Sequence, residues 1–151
     1  MSAFRQILYH IVFRTRNSEQ TIAQENLKQL CSYIWGIIKK KNCVLFRINA
    51  MPDHVHILSD LHPSVCLADF VRDIKIYSSK WMKESGFFPT FTGWGAKYCA
   101  ITYSIKERDV IINYINNQQE HHKEESFQDE IKCLFLENGI STDEKWFWTE
   151  S

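Results

Sequence analysis

Two strand-like segments separated by a short turn constrain the fold of this chain more than any other feature. Residues 43–50 and 54–58 are rich in β-branched and apolar side chains. Residues 51–53 between them contain a proline followed by an aspartate, which is typical of a tight turn. We therefore predict a β-hairpin, and the neighbouring elements must be compatible with it.

The elements on both sides of the hairpin suggest how the chain is arranged. In order, they are a strand at residues 4–13, a helix ending at residues 39–41, the hairpin, a helix at residues 65–83 and a strand at residues 98–103. Ser18 or Thr21 can cap the first helix. This β-α-β-β-α-β order predicts an α+β fold of ferredoxin-like type, with an antiparallel sheet and two helices on one face.

The C-terminal third adds helices to this unit. Apolar spacing predicts a helix at residues 107–122 and another at 126–137, and the aromatic residues 146–148 are expected to pack against the body. No linker, repeat or low-complexity tract divides the chain, so residues 1–151 are predicted to form a single domain.

A loop at residues 85–95 carries four aromatic side chains and leaves two interpretations open. Exposed aromatics near lysines are a plausible platform for stacking the bases of a single strand. The alternative is a loop folded back onto the core.

Charge is distributed unevenly although the net charge is zero. Residues 1–106 contain 14 Lys and Arg against 7 Asp and Glu, whereas residues 107–151 contain 4 against 11. A basic body suits a polyanionic partner, and a solvated acidic helix explains the C-terminal excess equally well. Five scattered cysteines, the lack of a signal peptide and the lack of a long apolar run predict a cytoplasmic protein that does not enter a membrane.

Two histidines in the second hairpin strand are candidates for a metal site. His54 and His56 are two residues apart, so both point to one side of the strand, roughly 7 Å apart along it. Neutral imidazoles in this position can converge on one divalent cation. Such pairs also occur as surface residues or as satisfied core groups, so a third ligand and a group to be activated are needed.

A tyrosine and a glutamine on the third predicted helix could supply the missing reactive group and the third ligand. Tyr114 and Gln118 are four residues apart and therefore share a helix face with Ile111 and Ile115. On that face they could be ordinary core residues with satisfied hydrogen bonds. If an amide oxygen and two imidazoles hold a cation, the tyrosine hydroxyl is placed to attack a phosphate that the cation polarises. The phenol of tyrosine has a pKa of ~10, so a phenolate leaves more easily than an alkoxide. The covalent bond between the tyrosine and the phosphate could therefore be reversed to rejoin DNA.

Residues 51–58, followed about sixty positions later by residues 114–118, resemble the single-tyrosine HUH transposases of small bacterial insertion sequences, which include the REP-associated tyrosine transposases. Residues 9–15, 73–79 and 119–127 are similar to other segments of that family. The histidine pair alone is weak evidence, but the pair followed by Tyr-x-x-x-Gln in this order is much more specific.

The resemblance implies roles for individual residues. His54, His56 and Gln118 would bind Mg²⁺ or Mn²⁺, and Tyr114 would attack single-stranded DNA to leave a 5′-phosphotyrosine and a free 3′-OH. It also implies recognition of DNA hairpins at element ends by a homodimer, in which the tyrosine helix of one subunit can complete the histidine site of the other. The residues predicted to contact DNA are Arg14, Lys75 and Ser79; a solvated surface is the alternative for them.

Two other functions remain open on the sequence alone. A non-catalytic ferredoxin-like protein that binds DNA hairpins would share the fold but has no need of the four site residues together. A metal-dependent hydrolase that uses water would not need Tyr114. His10, His62, His121 and His122 receive no role. The last two follow Gln118 on the same predicted helix and could approach the site, but we expect them at a solvent-facing helix tip.

Overall fold

A four-stranded antiparallel sheet forms the centre of the computed structural model, which describes residues 3–141 and 143–150. The strands are β1 (Tyr9–Arg14), β2 (Leu45–Met51), β3 (His54–Ser59) and β4 (Cys99–Thr102), in the spatial order β2-β3-β1-β4. The predicted α+β class and the hairpin of β2 and β3 are confirmed. Residues 1, 2, 142 and 151, which belong to the predicted single domain, lie outside the described residues.

Helices pack on both faces of this sheet. They are α1 (Leu27–Lys40), α2 (Leu67–Ser85), α3 (Arg108–Asn116), the short α4 (Gln118–His121) and α5 (Phe127–Glu137). Helices α1 and α2 share the larger core with one face of β1 and β3, as the sequence predicts. Helices α3 and α5 pack on the opposite face in two smaller clusters. The central strand β3 is therefore buried on both sides along its whole length.

The first helix begins later than the sequence predicts. We expected it to start soon after Ser18 or Thr21, but α1 begins at Leu27. The backbone N–H groups of Thr21 and Ile22 both donate to the carbonyl of Pro52 in the hairpin turn, at 3.0 and 2.9 Å. These bonds tie the segment to the turn, and the side chain of Ile22 still reaches the core.

The third predicted helix is divided in two. Asn117 has φ −95° and ψ 18°, and it separates α3 from α4 within the expected 107–122 helix. The interruption is local, because the N–H groups of Asn117 and His121 still donate to carbonyls four residues earlier, at 3.1 and 2.9 Å. Tyr114 thus lies in the last turn of α3, while Gln118 begins α4.

The aromatic loop folds back onto the core. Phe88, Phe91 and Trp94 are buried, whereas Phe87 remains 41% exposed. The indole N–H of Trp94 donates to the hydroxyl of Ser78 at 2.9 Å, which fixes the loop against α2. A stacking platform built from all four rings is therefore wrong for this conformation.

Within the part of the chain that is described, we find no helix both long and apolar enough to span a lipid bilayer.

Replacing Phe70 with alanine should destabilise the protein strongly. Phe70 lies on α2 and is fully buried in the larger core. Large-to-small changes of this kind cost about 3–5 kcal/mol of unfolding free energy, because they remove apolar contacts and leave a cavity. Denaturant titration of Phe70→Ala measures the loss. Tyr77→Ala on the same helix is the control, since Tyr77 is 52% exposed and should change stability far less.

Candidate metal and nucleophile site

The two strand histidines lie on the sheet face opposite α1 and α2. His54 and His56 are almost completely buried, and their ring centroids are 5.1 Å apart. Val55 and Ile57 point the other way into the larger core, as the alternation of the strand predicts. The histidines are therefore on one side, beneath the helices of the C-terminal third.

The outer nitrogen of each strand histidine is held by a neighbour. His54 Nδ1 lies 2.6 Å from Asp53 Oδ1, and His56 Nδ1 lies 2.8 Å from Nε2 of the buried His10. The Nε2 atoms of His54 and His56 are turned inward, and neither has a hydrogen-bond partner among the described residues. Burial lowers the pKa of His54 to about 4, so near neutral pH this ring is uncharged, which is the form that binds metals.

A carboxylate from α5 reaches the same point. Glu130 is 1% exposed, and its Oε1 lies 3.4 Å from His56 Nε2 and 3.6 Å from His54 Nε2. Burial opposes ionisation of this side chain, but the neighbouring imidazoles of His122 and His56 keep the pKa of Glu130 well below its usual range. Glu130 is therefore ionised at the centre of the site.

His122 supplies a third imidazole. Its Nε2 lies 3.1 Å from Glu130 Oε1 and 2.9 Å from Gln118 Oε1, while its Nδ1 lies 2.9 Å from the carbonyl of Glu125. Burial lowers the pKa of His122, but the carboxylate of Glu130 outweighs it and raises the pKa above the usual value. The expectation of a solvent-facing tip is wrong for this residue, because its side chain is only 9% exposed and contacts Gln118 and Glu130.

These four side chains form a group that could hold a metal ion. One donor atom from each of His54, His56, His122 and Glu130 lies within 4.8 Å of every other. An ion bound at about 2.1 Å in tetrahedral or octahedral geometry keeps adjacent donor atoms about 3.0–3.4 Å apart. The distances of 3.1, 3.4 and 3.6 Å from Glu130 Oε1 to the three imidazoles are close to that spacing. The residues present therefore fit a divalent cation.

Tyr114 and Gln118 contact the other oxygen of the same carboxylate. The hydroxyl of Tyr114 donates to Glu130 Oε2, and the amide of Gln118 donates to that atom at 3.0 Å. The tyrosine ring centroid lies 5.9 Å from that of His56. Burial and the charge of Glu130 raise the pKa of Tyr114, so its hydroxyl keeps its proton in this state. The structure thus brings together all four residues that the sequence proposed for the site.

The residues predicted to contact DNA lie outside this cluster. Arg14 is 2% exposed, and its guanidinium is bound to Glu150 at 2.7 Å. The ammonium of Lys75 donates to the carbonyls of Gly95 and Lys97 at 2.9 and 3.0 Å. Burial lowers the pKa of Lys75 to about 8. Ser79 is half-buried on α2, on the face of the sheet away from the histidines.

Three members of the site escaped the sequence analysis, namely His10, His122 and Glu130. The sequence contained an indication for two of them, His122 and Glu130. His122 follows Gln118 by four residues, which places both on one helical face. Glu130 stands among Phe127, Ile131 and Leu134 on the apolar face of α5, and an unpaired carboxylate on such a face requires a partner. His10 showed no such signal, because only the pairing of β1 with β3 brings it to His56.

Known proteins match most of the chain. The sequence profile of the family described as "Transposase IS200 like" matches residues 3–118. The ISDra2 transposase TnpA of Deinococcus radiodurans is 29% identical over 126 residues, which are 79% of this chain and 87% of that protein.

Two solved structures are similar to this one. A protein of Deinococcus radiodurans described as a transposase has a TM-score of 0.61 and 27% identity, covering 78% of this chain and 95% of its own. A REP-associated tyrosine transposase bound to a REP hairpin has a TM-score of 0.60 and 15% identity, covering 81% and 74%. At that identity, the second likeness concerns the fold alone.

Proposed function

The chain belongs to the IS200-like transposase family, and on that basis we propose that it cuts and rejoins single-stranded DNA with Tyr114 as nucleophile. Membership of a transposase family implies an enzyme that cleaves DNA. The observation that best supports the proposal is the position of Tyr114, whose hydroxyl is bound to the same carboxylate that faces His54 and His56. A non-catalytic hairpin-binding protein has no use for that arrangement.

In the proposed reaction, the oxygen of Tyr114 forms a bond to phosphorus while the bond from phosphorus to the 3′-oxygen breaks. The phenol loses its proton, the departing oxygen gains one, and the products are a 5′-phosphotyrosine and a free 3′-OH. Attack by a 3′-OH on the phosphotyrosine reverses these steps and rejoins DNA without another energy source. His54 and His56, with Gln118 beside them, would hold Mg²⁺ or Mn²⁺, which polarises the phosphate and stabilises the leaving oxygen.

We also propose the partners that the family resemblance implies. The substrate is single-stranded DNA with a hairpin near each element end, and the enzyme acts as a homodimer with a ferredoxin-like domain in each subunit. One related structure carries a REP hairpin, which supports hairpin recognition here. In the single chain, Tyr114 lies beside the histidines of its own subunit. Exchange of tyrosine helices between subunits would present the same side chain to the partner's histidines.

Incubation with single-stranded DNA from the flanks of its own gene tests the proposed reaction. With Mg²⁺ or Mn²⁺ present, a 3′-labelled strand should become attached to the protein on a denaturing gel. A 5′-labelled strand should instead be shortened and remain free, because the tyrosine keeps the downstream fragment. The same strand annealed into a perfect duplex is the control. Binding to the hairpins without any adduct would favour a non-catalytic binding protein.

Neutralising Lys75 tests its proposed contact with DNA. An ammonium has three N–H donors, and two of them are used by the carbonyls of Gly95 and Lys97. If the third reaches a phosphate, Lys75→Gln should weaken hairpin binding and reduce the slope of log affinity against log salt by about 1. Lys132→Gln, on the exposed side of α5, should leave the slope unchanged. An unchanged slope for Lys75→Gln would return it to a structural role in holding the loop.

Arg14 and Ser79 remain proposed DNA contacts on different grounds. The guanidinium of Arg14 is bound to Glu150 and to carbonyls near the C-terminus, so it must leave these partners to contact a phosphate. Ser79 lies four residues after Lys75, and one helical turn of α2 would therefore present both to the same strand.

A further inference from the structure

We propose that His122 and Glu130 are metal ligands in addition to the strand histidines, and that the completed site selects a transition-metal ion such as Mn²⁺ over Mg²⁺. Both residues lie beyond residues 3–118, the region that the family profile matches. Only one consequence of this inference rests on the proposed function. It is that Mn²⁺ supports DNA cleavage at concentrations where Mg²⁺ is ineffective.

The hydrogen bonds of the imidazoles show which nitrogens are available. Nδ1 of His54 faces the carboxylate of Asp53, and Nδ1 of His122 faces the carbonyl of Glu125. An ionised carboxylate and a carbonyl can only accept, so each Nδ1 carries the proton and the neutral ring has its lone pair on Nε2. Histidines that bind metals commonly donate their other ring N–H to a carboxylate or a carbonyl in this way, and that hydrogen bond fixes the tautomer.

The Nε2 lone pairs of His54 and His122 both face another hydrogen-bond acceptor, the carboxylate of Glu130. Nε2 of His54 and Nε2 of His122 lie 3.6 and 3.1 Å from Glu130 Oε1, which is itself negatively charged. Facing lone pairs repel unless a proton or a cation lies between them. The inward nitrogens of His54 and His56 are buried, and neither has a hydrogen-bond partner in the described ranges 3–141 and 143–150. Buried polar atoms without partners are costly, and one ion would satisfy them together.

The donor set indicates the class of metal. Three imidazoles and one carboxylate suit first-row transition metals, whereas Mg²⁺ prefers oxygen ligands and keeps several of its waters. The amide oxygen of Gln118 lies 2.9 Å from His122 Nε2 and is therefore near enough to serve as a further ligand. Six-coordinate Mn²⁺ would then keep an open position for a phosphate oxygen.

Glu130 also connects the metal position to the proposed nucleophile. Its Oε1 faces the three imidazoles, and its Oε2 accepts hydrogen bonds from Tyr114 and Gln118. A ligand that uses one oxygen for the ion and the other for the tyrosine fixes the distance between them. Glu130 therefore acts on Tyr114 as a positioning residue.

Isothermal titration calorimetry with MnCl₂ on the full chain tests the ligand assignment. Glu130→Gln keeps the shape of the side chain but removes its charge, and it should weaken Mn²⁺ binding by about 10–100-fold. Glu130→Asp should recover part of that loss. Glu124→Gln is the matched control, since it removes the same charge from an exposed position near the site. Equal Mn²⁺ affinity for Glu130→Gln and the wild-type chain would overturn the proposal.

A second measurement uses only the wild-type chain, so it does not depend on the folding of a variant. The electron paramagnetic resonance signal of free Mn²⁺ should fall when protein is added, and about a hundredfold excess of Mg²⁺ should fail to restore it. Displacement of Mn²⁺ by an equal concentration of Mg²⁺ would overturn the selectivity. These readouts are independent of DNA cleavage. Mn²⁺ binding without any protein–DNA adduct would reject the proposed reaction and leave the metal site standing. An adduct formed by Glu130→Gln with normal Mn²⁺ affinity would reject Glu130 as a ligand and leave the reaction standing.

Discussion

Replacing Tyr114 with phenylalanine should abolish the covalent protein–DNA adduct and leave hairpin binding nearly unchanged. The substitution removes the one oxygen that is proposed to bond to phosphorus, and loss of a nucleophile lowers the rate by on the order of 10³-fold or more. The ring itself stays in place, because it packs within 6.0 Å of His10 and 5.9 Å of His56 by ring centroids. Denaturing gels measure the adduct, and a gel-shift titration measures binding.

A matched variant separates the loss of this hydroxyl from a general effect of losing a phenol. Tyr33 lies on α1 and stacks on Trp81, on the other side of the sheet from the histidines. Tyr33→Phe should therefore form the adduct at the wild-type rate. If Tyr114→Phe still gave an adduct, the nucleophile would be another residue. If it gave cleaved DNA without an adduct, the hydrolase that uses water would become the better description.

The parts of the fold that local sequence patterns encode were predictable. Alternation along β3 placed Val55 and Ile57 in the core and both histidines on the other face, and the structure agrees. The last helix was also expected close to its observed bounds, and in the structure the hydroxyl of Ser126 caps it by accepting from the N–H of Asp129 at 3.1 Å. Such features depend on residues that are neighbours in the chain.

The start of α1 and the break at Asn117 depend on contacts that are distant in sequence. Thr21 and Ile22 bind the hairpin turn through their backbone, which periodicity alone cannot reveal. Residues that follow the break meet a carboxylate from α5 in the folded chain. The interpretation of residues 107–122 as one helix was therefore wrong for a reason that lies in tertiary structure.

The same distinction applies to the site. The histidine pair and the tyrosine–glutamine pair were each visible as short motifs, and the structure places them around Glu130. The carboxylate itself was hidden, because an acidic residue in a helix is usually solvated. Its position at the centre of the cluster follows from the packing of α5 on the sheet, through Phe127 stacked on His54 with ring centroids 3.7 Å apart.

Removing both strand imidazoles should eliminate metal-dependent cleavage. The combined variant His54→Ala with His56→Ala loses two of the nitrogens that face Glu130, so Mn²⁺ affinity should fall by at least about 10²-fold and no adduct should form. Calorimetry measures the affinity, and a thermal melt verifies that the variant is folded before the assay. His62→Ala is the control, because the ring of His62 is bound to Ser64 outside the cluster.

The same double variant separates two roles of the strand imidazoles, which are lowering the pKa of Glu130 and binding the metal. The imidazole of His122 lowers the pKa of Glu130 independently of the strand, and the imidazole of His56 adds to this effect. Charge at Glu130 should therefore persist when the strand histidines are removed, while the metal loses two ligands. Unchanged Mn²⁺ affinity in the folded variant would show that the ion binds elsewhere, and the assignment of the metal to this face of the sheet would then fail.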